Sequence, residues 1–186
     1  MRVIAGVWRG RRLRAPKGRE TRPTPDRVRE ALFAALGPVE GRRVLDLYAG
    51  SGALGIEALS RGAAHVVLVE RSRAALRALR DNLTDLEVGT QATVLGAPVE
   101  RSLAAIAQLG PYGLVLADPP YGDVASARVT PLLDQLLAAQ TVLERSAIVV
   151  VEHAARDQPP ELRAVRLLRT RFYGDTALSW YRPGLE

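Results

Sequence analysis

The chain has 186 residues, a formal net charge of +6 and no cysteine. Such a length supports one compact domain with a sizeable core, and the missing thiols exclude disulfides, thiolate zinc sites, iron–sulfur clusters and a cysteine nucleophile. No run of about 18 uncharged apolar residues is present, and no apolar segment follows the arginine-rich start, so a soluble, cytoplasmic chain without a membrane partner is expected.

Residues 1–22 carry Arg2, Arg9, Arg11, Arg12, Arg14, Lys17, Arg19 and Arg22 against the single acid Glu20, a local charge of +7. The remaining 164 residues therefore sum to −1, and the excess positive charge is assigned to the N-terminal segment, as in a polyanion binder. Val3-Ile4-Ala5, Val7-Trp8 and Gly10 between basic runs predict a short hairpin there. The proline-punctuated stretch 21–26 follows, with Asp26 or Thr24 expected to cap a helix. Val28, Ala31, Leu32, Ala35 and Leu36 recur at three- and four-residue spacing and predict that helix over 26–36, stopped by Gly37-Pro38.

Beyond it, short apolar runs alternate with amphipathic stretches. Strands are predicted at 44–48, 66–69, 93–95, 114–117 and 148–151. Helices are predicted at 53–62, 72–83, 99–109 and near 127–139. Two strand-like stretches in 164–182 flank Gly174-Asp175, a hairpin turn. This order predicts an α/β fold with a doubly wound, mostly parallel sheet and an antiparallel C-terminal edge. The predicted division is a basic extension at 1–37 and a Rossmann-like domain at 38–186. His65 and His153 each stand alone in strand contexts and are read as structural; no metal is expected.

The segment from Val44 to Gly55 joins the first central strand to its helix. Its glycines suit a tight turn and close approach of a ligand to the backbone, and the helix start offers amides to an anion. Gly50-x-Gly52-x-x-Gly55 with Glu70 at the next strand end also satisfies the dinucleotide fingerprint. Asp46 favours another ligand: a carboxylate before the loop repels a pyrophosphate but suits the ammonium or sulfonium of S-adenosyl-L-methionine. Glu70 can accept from ribose hydroxyls.

Ala117-Asp118-Pro119-Pro120-Tyr121 ends the fourth strand, and in a doubly wound sheet such strand ends open on the ligand crevice. Two prolines stiffen the turn and remove two donors. The Asp118 carboxylate and the Pro119 carbonyl remain as acceptors for both N–H groups of an exocyclic amine, and Tyr121 offers a ring for base stacking. Catalysis by orientation and electrostatics needs no strong base.

These two motifs resemble class I methyltransferases of amino nitrogens. Arg2-Val3-Ile4-Ala5-Gly6, Gly10-Arg11-Arg12-Leu13, the block Thr21 to Phe33 and Tyr173-Gly174-Asp175-Thr176 extend the resemblance to the RsmD family, bacterial methyltransferases of a 16S rRNA guanine N2. It covers essentially the whole chain. It implies a seven-stranded class I fold and a monomer using S-adenosyl-L-methionine, with 16S rRNA of the small ribosomal subunit as partner. It also implies a catalytic corner of Asp118, Pro119, Pro120 and Tyr121. Cofactor contacts would come from Asp46, Tyr48, Gly50, Gly52, Glu70, Arg71, Gly96 and Ala97. Arg9, Arg11, Arg12, Arg22, Thr24, Arg27 and Arg29 would meet rRNA, with ordinary helix-surface charge as the alternative reading of Arg27 and Arg29. One departure stands out: where many methyltransferases place an acid near the adenine, this chain has Leu95-Gly96-Ala97-Pro98. Alternatives are methylation of DNA adenine N6 or of a protein glutamine, a noncatalytic assembly factor with this fold, and an NAD-dependent dehydrogenase.

Overall fold

The computed structural model describes residues 1–16, 25–120, 122, 128–139 and 141–184. Seven strands form one sheet: β1 (Arg43–Leu47), β2 (His65–Val69), β3 (Ala92–Leu95), β4 (Tyr112–Ala117), β5 (Leu143–Ala154), β6 (Val165–Tyr173) and β7 (Thr176–Pro183). Their order is β3-β2-β1-β4-β5-β7-β6. The first five pair in parallel, while β7 runs antiparallel to β5 and to β6. The helices are α1 (Asp26–Leu36), α2 (Ala53–Ser60), α3 (Arg73–Asp85), α4 (Val99–Leu109) and α5 (Val129–Leu137). Among the described residues no helix is long and apolar enough to cross a membrane.

Continuous apolar strands are what a sheet covered on both faces requires. Val44, Val66, Leu68, Leu114 and Leu116 pack with α1, α2 and α3 on one face. Leu45, Leu47, Val67, Val115 and Ala117 pack with α4 and α5 on the other. The predicted strand at 148–151 is the centre of a longer element, since β5 extends to twelve residues. Its flanks, including exposed Arg145, lie outside the apolar run that marked it.

One local expectation is corrected. The side chain of Asp26 does not cap α1: Pro25 is the N-cap and has no side-chain hydrogen bond. Asp26 is the first helical residue and pairs with Arg29 at 2.7 Å, a carboxylate in the first turn where the helix dipole favours it. Thr24 lies outside the described residues. The expected N-terminal hairpin is present in short form: an antiparallel bridge joins Arg2 to Arg12, and the Val3, Gly10 and Leu13 amides donate to the Arg11, Val3 and Met1 carbonyls at 3.0, 2.9 and 3.1 Å, while the backbone between them binds α2. Glu57, fully buried, accepts from the Ile4 and Ala5 amides at 2.7 and 3.0 Å. Ser60 accepts from the Trp8 amide at 3.1 Å and donates to the Ala5 carbonyl at 2.6 Å. Val3 and Leu13 then join the cluster that holds α1 and α2.

Candidate active site

β1 alternates its side chains between the two faces, and Asp46 falls at a position facing α2 where its neighbours are apolar. The carboxylate is 1% exposed. Its Oδ2 accepts from the Gly55 amide at 2.8 Å, inside the first turn of α2. Gly52 is the helix N-cap and offers no side chain; Asp46 supplies the missing cap from the neighbouring strand. Gly55 permits this closeness, since a Cβ there would stand 3.0 Å from Asp46 Oδ2 and closer still to Leu68 and Val66. The other oxygen, Oδ1, is buried and has no hydrogen-bond partner.

Burial raises the Asp46 carboxyl from 3.8 to about 8, partly offset by the Gly55 hydrogen bond and reinforced by repulsion from Asp118 and Glu70. Asp46 thus lies close enough to sense the acids at the carboxyl ends of β2 and β4.

Glu70 also braces the loop. Its Oε2 accepts from the Gly50 amide at 2.8 Å, while Oε1 accepts from the Arg71 and Ser72 amides at 2.8 and 2.6 Å. The glycine loop is internally braced as well, with the Gly52 amide on the Ala49 carbonyl at 2.8 Å. The amides of Gly50, Gly52 and Gly55, expected to be free for an anion, are therefore already used. At Gly50 (φ +57) a Cβ would meet nothing within 4 Å, so the loop borders open space. Tyr48 holds φ +61, a left-handed conformation rare for an aromatic residue; such outliers concentrate at functional sites.

Gly96 and Ala97 follow β3 directly, and the Glu70 amide donates to the Leu95 carbonyl at 3.1 Å, tying this strand end to β2. Asp118 follows β4, anchored by its amide to the Leu47 carbonyl at 3.3 Å; Pro119 is buried and Pro120 exposed. The fold thus gathers Asp46, Tyr48, Gly50, Gly52, Glu70, Arg71, Gly96, Ala97 and the Asp118-Pro119-Pro120 corner at the carboxyl end of the parallel strands. Tyr121 lies outside the described residues.

Of the expected RNA contacts, Arg9, Arg11, Arg12 and Arg27 are exposed, although Arg11 also donates to the Asp85 carbonyl at 2.7 Å. Arg22 and Thr24 lie outside the described residues. Arg29 is corrected: it is fully buried, and its Nη2 donates to the Arg2 carbonyl at 2.6 Å and to Asp26. It clamps the N-terminal arm to α1 and cannot meet a phosphate.

Sequence reasoning missed Asn82, which is 1% exposed. Its Oδ1 accepts from the Arg14 amide at 2.7 Å, and its Nδ2 donates to the carbonyls of Arg14 and Ser51 at 3.1 and 2.9 Å. One side chain joins the basic arm to the glycine loop. The only available signal was a polar residue on the apolar stripe of α3.

Strand order decides against the dinucleotide reading. A dinucleotide-binding sheet has the order 3-2-1-4-5-6; here an antiparallel β7 stands between β5 and β6. A family model described as conserved hypothetical protein 95 matches residues 1–182. The chain belongs to this family, the RsmD family. It is 40% identical over 186 residues, 98% of each chain, to the Bacillus subtilis protein "Putative rRNA methyltransferase YlbH". It is 46% identical over 123 residues to the Escherichia coli ribosomal RNA small subunit methyltransferase D, across 65% of this chain and 60% of that one. Among solved structures, the one titled "Putative methyltransferase yhhF from Escherichia coli" superposes with a TM-score of 0.83 at 34% identity, over 100% and 99% of the two chains. The fold of this RsmD-family chain is that of class I methyltransferases.

Proposed function

We propose that the protein methylates ribosomal RNA of the small subunit, and that its acceptor is the exocyclic N2 of a guanine in 16S rRNA. The observation that carries this reading is the convergence of Asp46, Glu70 and Asp118 on one strand-end crevice, beside a proline-stiffened set of acceptors. The crevice suits S-adenosyl-L-methionine on two counts. Asp46 Oδ1 is a buried acceptor awaiting a donor, which an ammonium provides, and the space beside Gly50 is clear of protein atoms. When bound, this cofactor supplies an electrophilic methyl group on a sulfonium.

The protein's own task is positional. The Asp118 carboxylate and the Pro119 carbonyl accept the two N–H groups of the base amine, which turns its lone pair out of conjugation and toward the methyl group. Tyr121 would stack on the base. As the methyl–sulfur bond gives way to the new N–C bond and a neutral thioether leaves, the nitrogen would shed one proton, which the adjacent Asp118 carboxylate is placed to take. Acids at the crevice also favour a cationic over an anionic ligand. Glu70, already holding three amides, retains lone pairs for ribose hydroxyls while fixing the loop. Arg9, Arg11, Arg12 and Arg27 supply phosphate contacts.

The test is transfer of labelled methyl from S-adenosyl-L-methionine to small subunits lacking their normal methylations, beside naked 16S rRNA, DNA and protein. Label recovered as a guanine N2 methyl in the subunit is the expected result. Label confined to DNA or protein, or none in any acceptor despite cofactor binding, would overturn the proposal.

A further inference from the structure

β6 is the outer edge of the sheet, and its composition departs from the balance of the chain around it. Between residues 162 and 173 stand Arg163, Arg166, Arg169 and Arg171 without one acid. Among the described residues none of the four forms a salt bridge. The strand is also unusually apolar for an exposed edge: Leu167, Leu168 and Phe172 are 45%, 43% and 64% exposed.

The register arranges these residues. Arg166 faces the α1 side, and strict alternation would place Arg169 and Arg171 on the other face. The pairing shifts by one residue between Leu167 and Arg169, bringing Arg169 opposite Trp180 and Arg171 opposite Leu178, both in the α1-side cluster. A bulge therefore puts three arginines on one face. Two of them are ordered by the Trp180 indole, with guanidinium carbons 5.0 and 5.9 Å from its ring. Arg169 also donates to the Ala35 carbonyl at the end of α1 at 3.1 Å.

The same register fixes the level of this stripe. Ala117 pairs with Val151, Val151 with Ser179 and Ser179 with Thr170. Arg171 and Phe172 thus lie level with Asp118 and Pro119, three strand spacings or about 14 Å away. Since β6 has no outer neighbour, side chains from both its faces reach the rim.

Resting on the rRNA reading above, we propose that the β6 edge is a second RNA contact, holding the single-stranded segment that flanks the target nucleotide. Arg166 and Arg171 meet phosphates, and the Phe172 ring stacks on a base. Unpaired cations interleaved with an exposed aromatic ring form the surface a single strand recognises. Arginines on a sheet edge also deter edge-to-edge pairing, and the experiment separates the two roles.

Binding of full-length wild type, Phe172→Ala and Arg166→Gln/Arg171→Gln to undermethylated small subunits is measured across a salt series, with Arg9→Gln/Arg12→Gln as reference. Phe172→Ala is expected to weaken binding about five- to hundredfold at an unchanged salt slope. The arginine pair should lower the log–log slope by about 1.4, as for two lost phosphate contacts on a single strand. These side chains are exposed, so matching thermal unfolding confirms intact folds. Wild-type affinity and slope in both β6 variants, with the N-terminal reference weakened, overturn the inference and leave the arginines as edge guards. Weakened binding at an unchanged slope in the arginine pair overturns it in favour of a protein contact. A wild type that binds no subunits overturns the rRNA reading itself.

Discussion

Replacing Asp46 by asparagine removes a charge that the folded chain disfavours and a bound cation would favour. In the unfolded chain the carboxyl titrates near 3.8; folding raises it to about 8, chiefly by burial. The native state therefore binds the proton more tightly, and the stability this confers is complete below pH 3.8. It is lost as pH rises toward 8, at up to about 1.4 kcal/mol per pH unit. By pH 7 the loss approaches about 4 kcal/mol. The substituted amide does not titrate. It keeps an oxygen for the Gly55 amide but places an amine where Oδ1 has no partner, at a cost of about 1–2 kcal/mol. The variant should be about 2–3 kcal/mol more stable than wild type near pH 7, with the advantage vanishing near pH 4–5. Urea unfolding at pH 5.0 and 7.5 with matched m-values measures it. A difference between the two proteins that stays constant with pH would refute the reasoning, since Asp46 would then ionise as in the unfolded chain. A second readout follows from the proposed ligand. An ammonium at Asp46 Oδ1 drives the proton off, so wild type should release up to one proton on binding S-adenosyl-L-methionine. Calorimetry in buffers of different ionisation enthalpy should find that release in wild type and not in Asp46→Asn, which also binds more weakly.

Asp118→Ala should abolish methyl transfer while leaving cofactor affinity near wild type, and by removing a repelling charge it should lower the pH at which Asp46 ionises; single-turnover transfer and the pH-stability curve read the two effects. Gly6→Ala sets a Cβ 1.7 Å from the Ser60 carbonyl at φ +86. The arm should detach from α2 at a cost of several kcal/mol, visible as lost hydrogen-exchange protection of the Val7 amide. Asn82→Ala deprives three backbone groups, one of them buried, of their partner and should cost about 2–4 kcal/mol in urea unfolding. His153 is held below 6.5 chiefly by burial, so its share of stability is present above that pH and lost as pH falls through the folded value. His153→Gln should flatten the stability curve between pH 6.5 and 5.

How far the sequence could be read depended on whether a feature is local. The glycine loop, the Asp118-Pro119-Pro120 turn and the alternation of elements are contiguous in the chain, and each sits where its pattern indicated. Arg29 failed because spacing on a helix says which residues share a face, not what covers that face. The cover is the Arg2 carbonyl, 27 positions away. Glu70 was legible only in part. Its place at the β2 end was legible, whereas the three amides that fill its carboxylate depend on how tightly the loop folds back. Asn82 and Glu57 carried only the weak signal of a polar residue in an apolar stripe, and their partners come from a distant arm.

The charge of β6 exposes a different kind of blindness. Residues 23–186 sum to −1, a near-neutral value that hides four arginines and no acid within one edge segment. Net charge averages over surfaces that never face the same partner, while a strand concentrates its charge on a rim set by register. A one-residue bulge decides whether Arg166, Arg169 and Arg171 share a face or split across two, and no composition window contains that information. The acids are segregated in the same manner. Asp46, Glu70 and Asp118 lie 24 and 48 positions apart in sequence yet meet at the carboxyl end of the parallel strands. The proposed cationic cofactor and anionic RNA impose opposite demands on one protein. Under the proposed function, the acids at the parallel strand ends would serve the first demand and the arginines of the arm and the antiparallel edge the second.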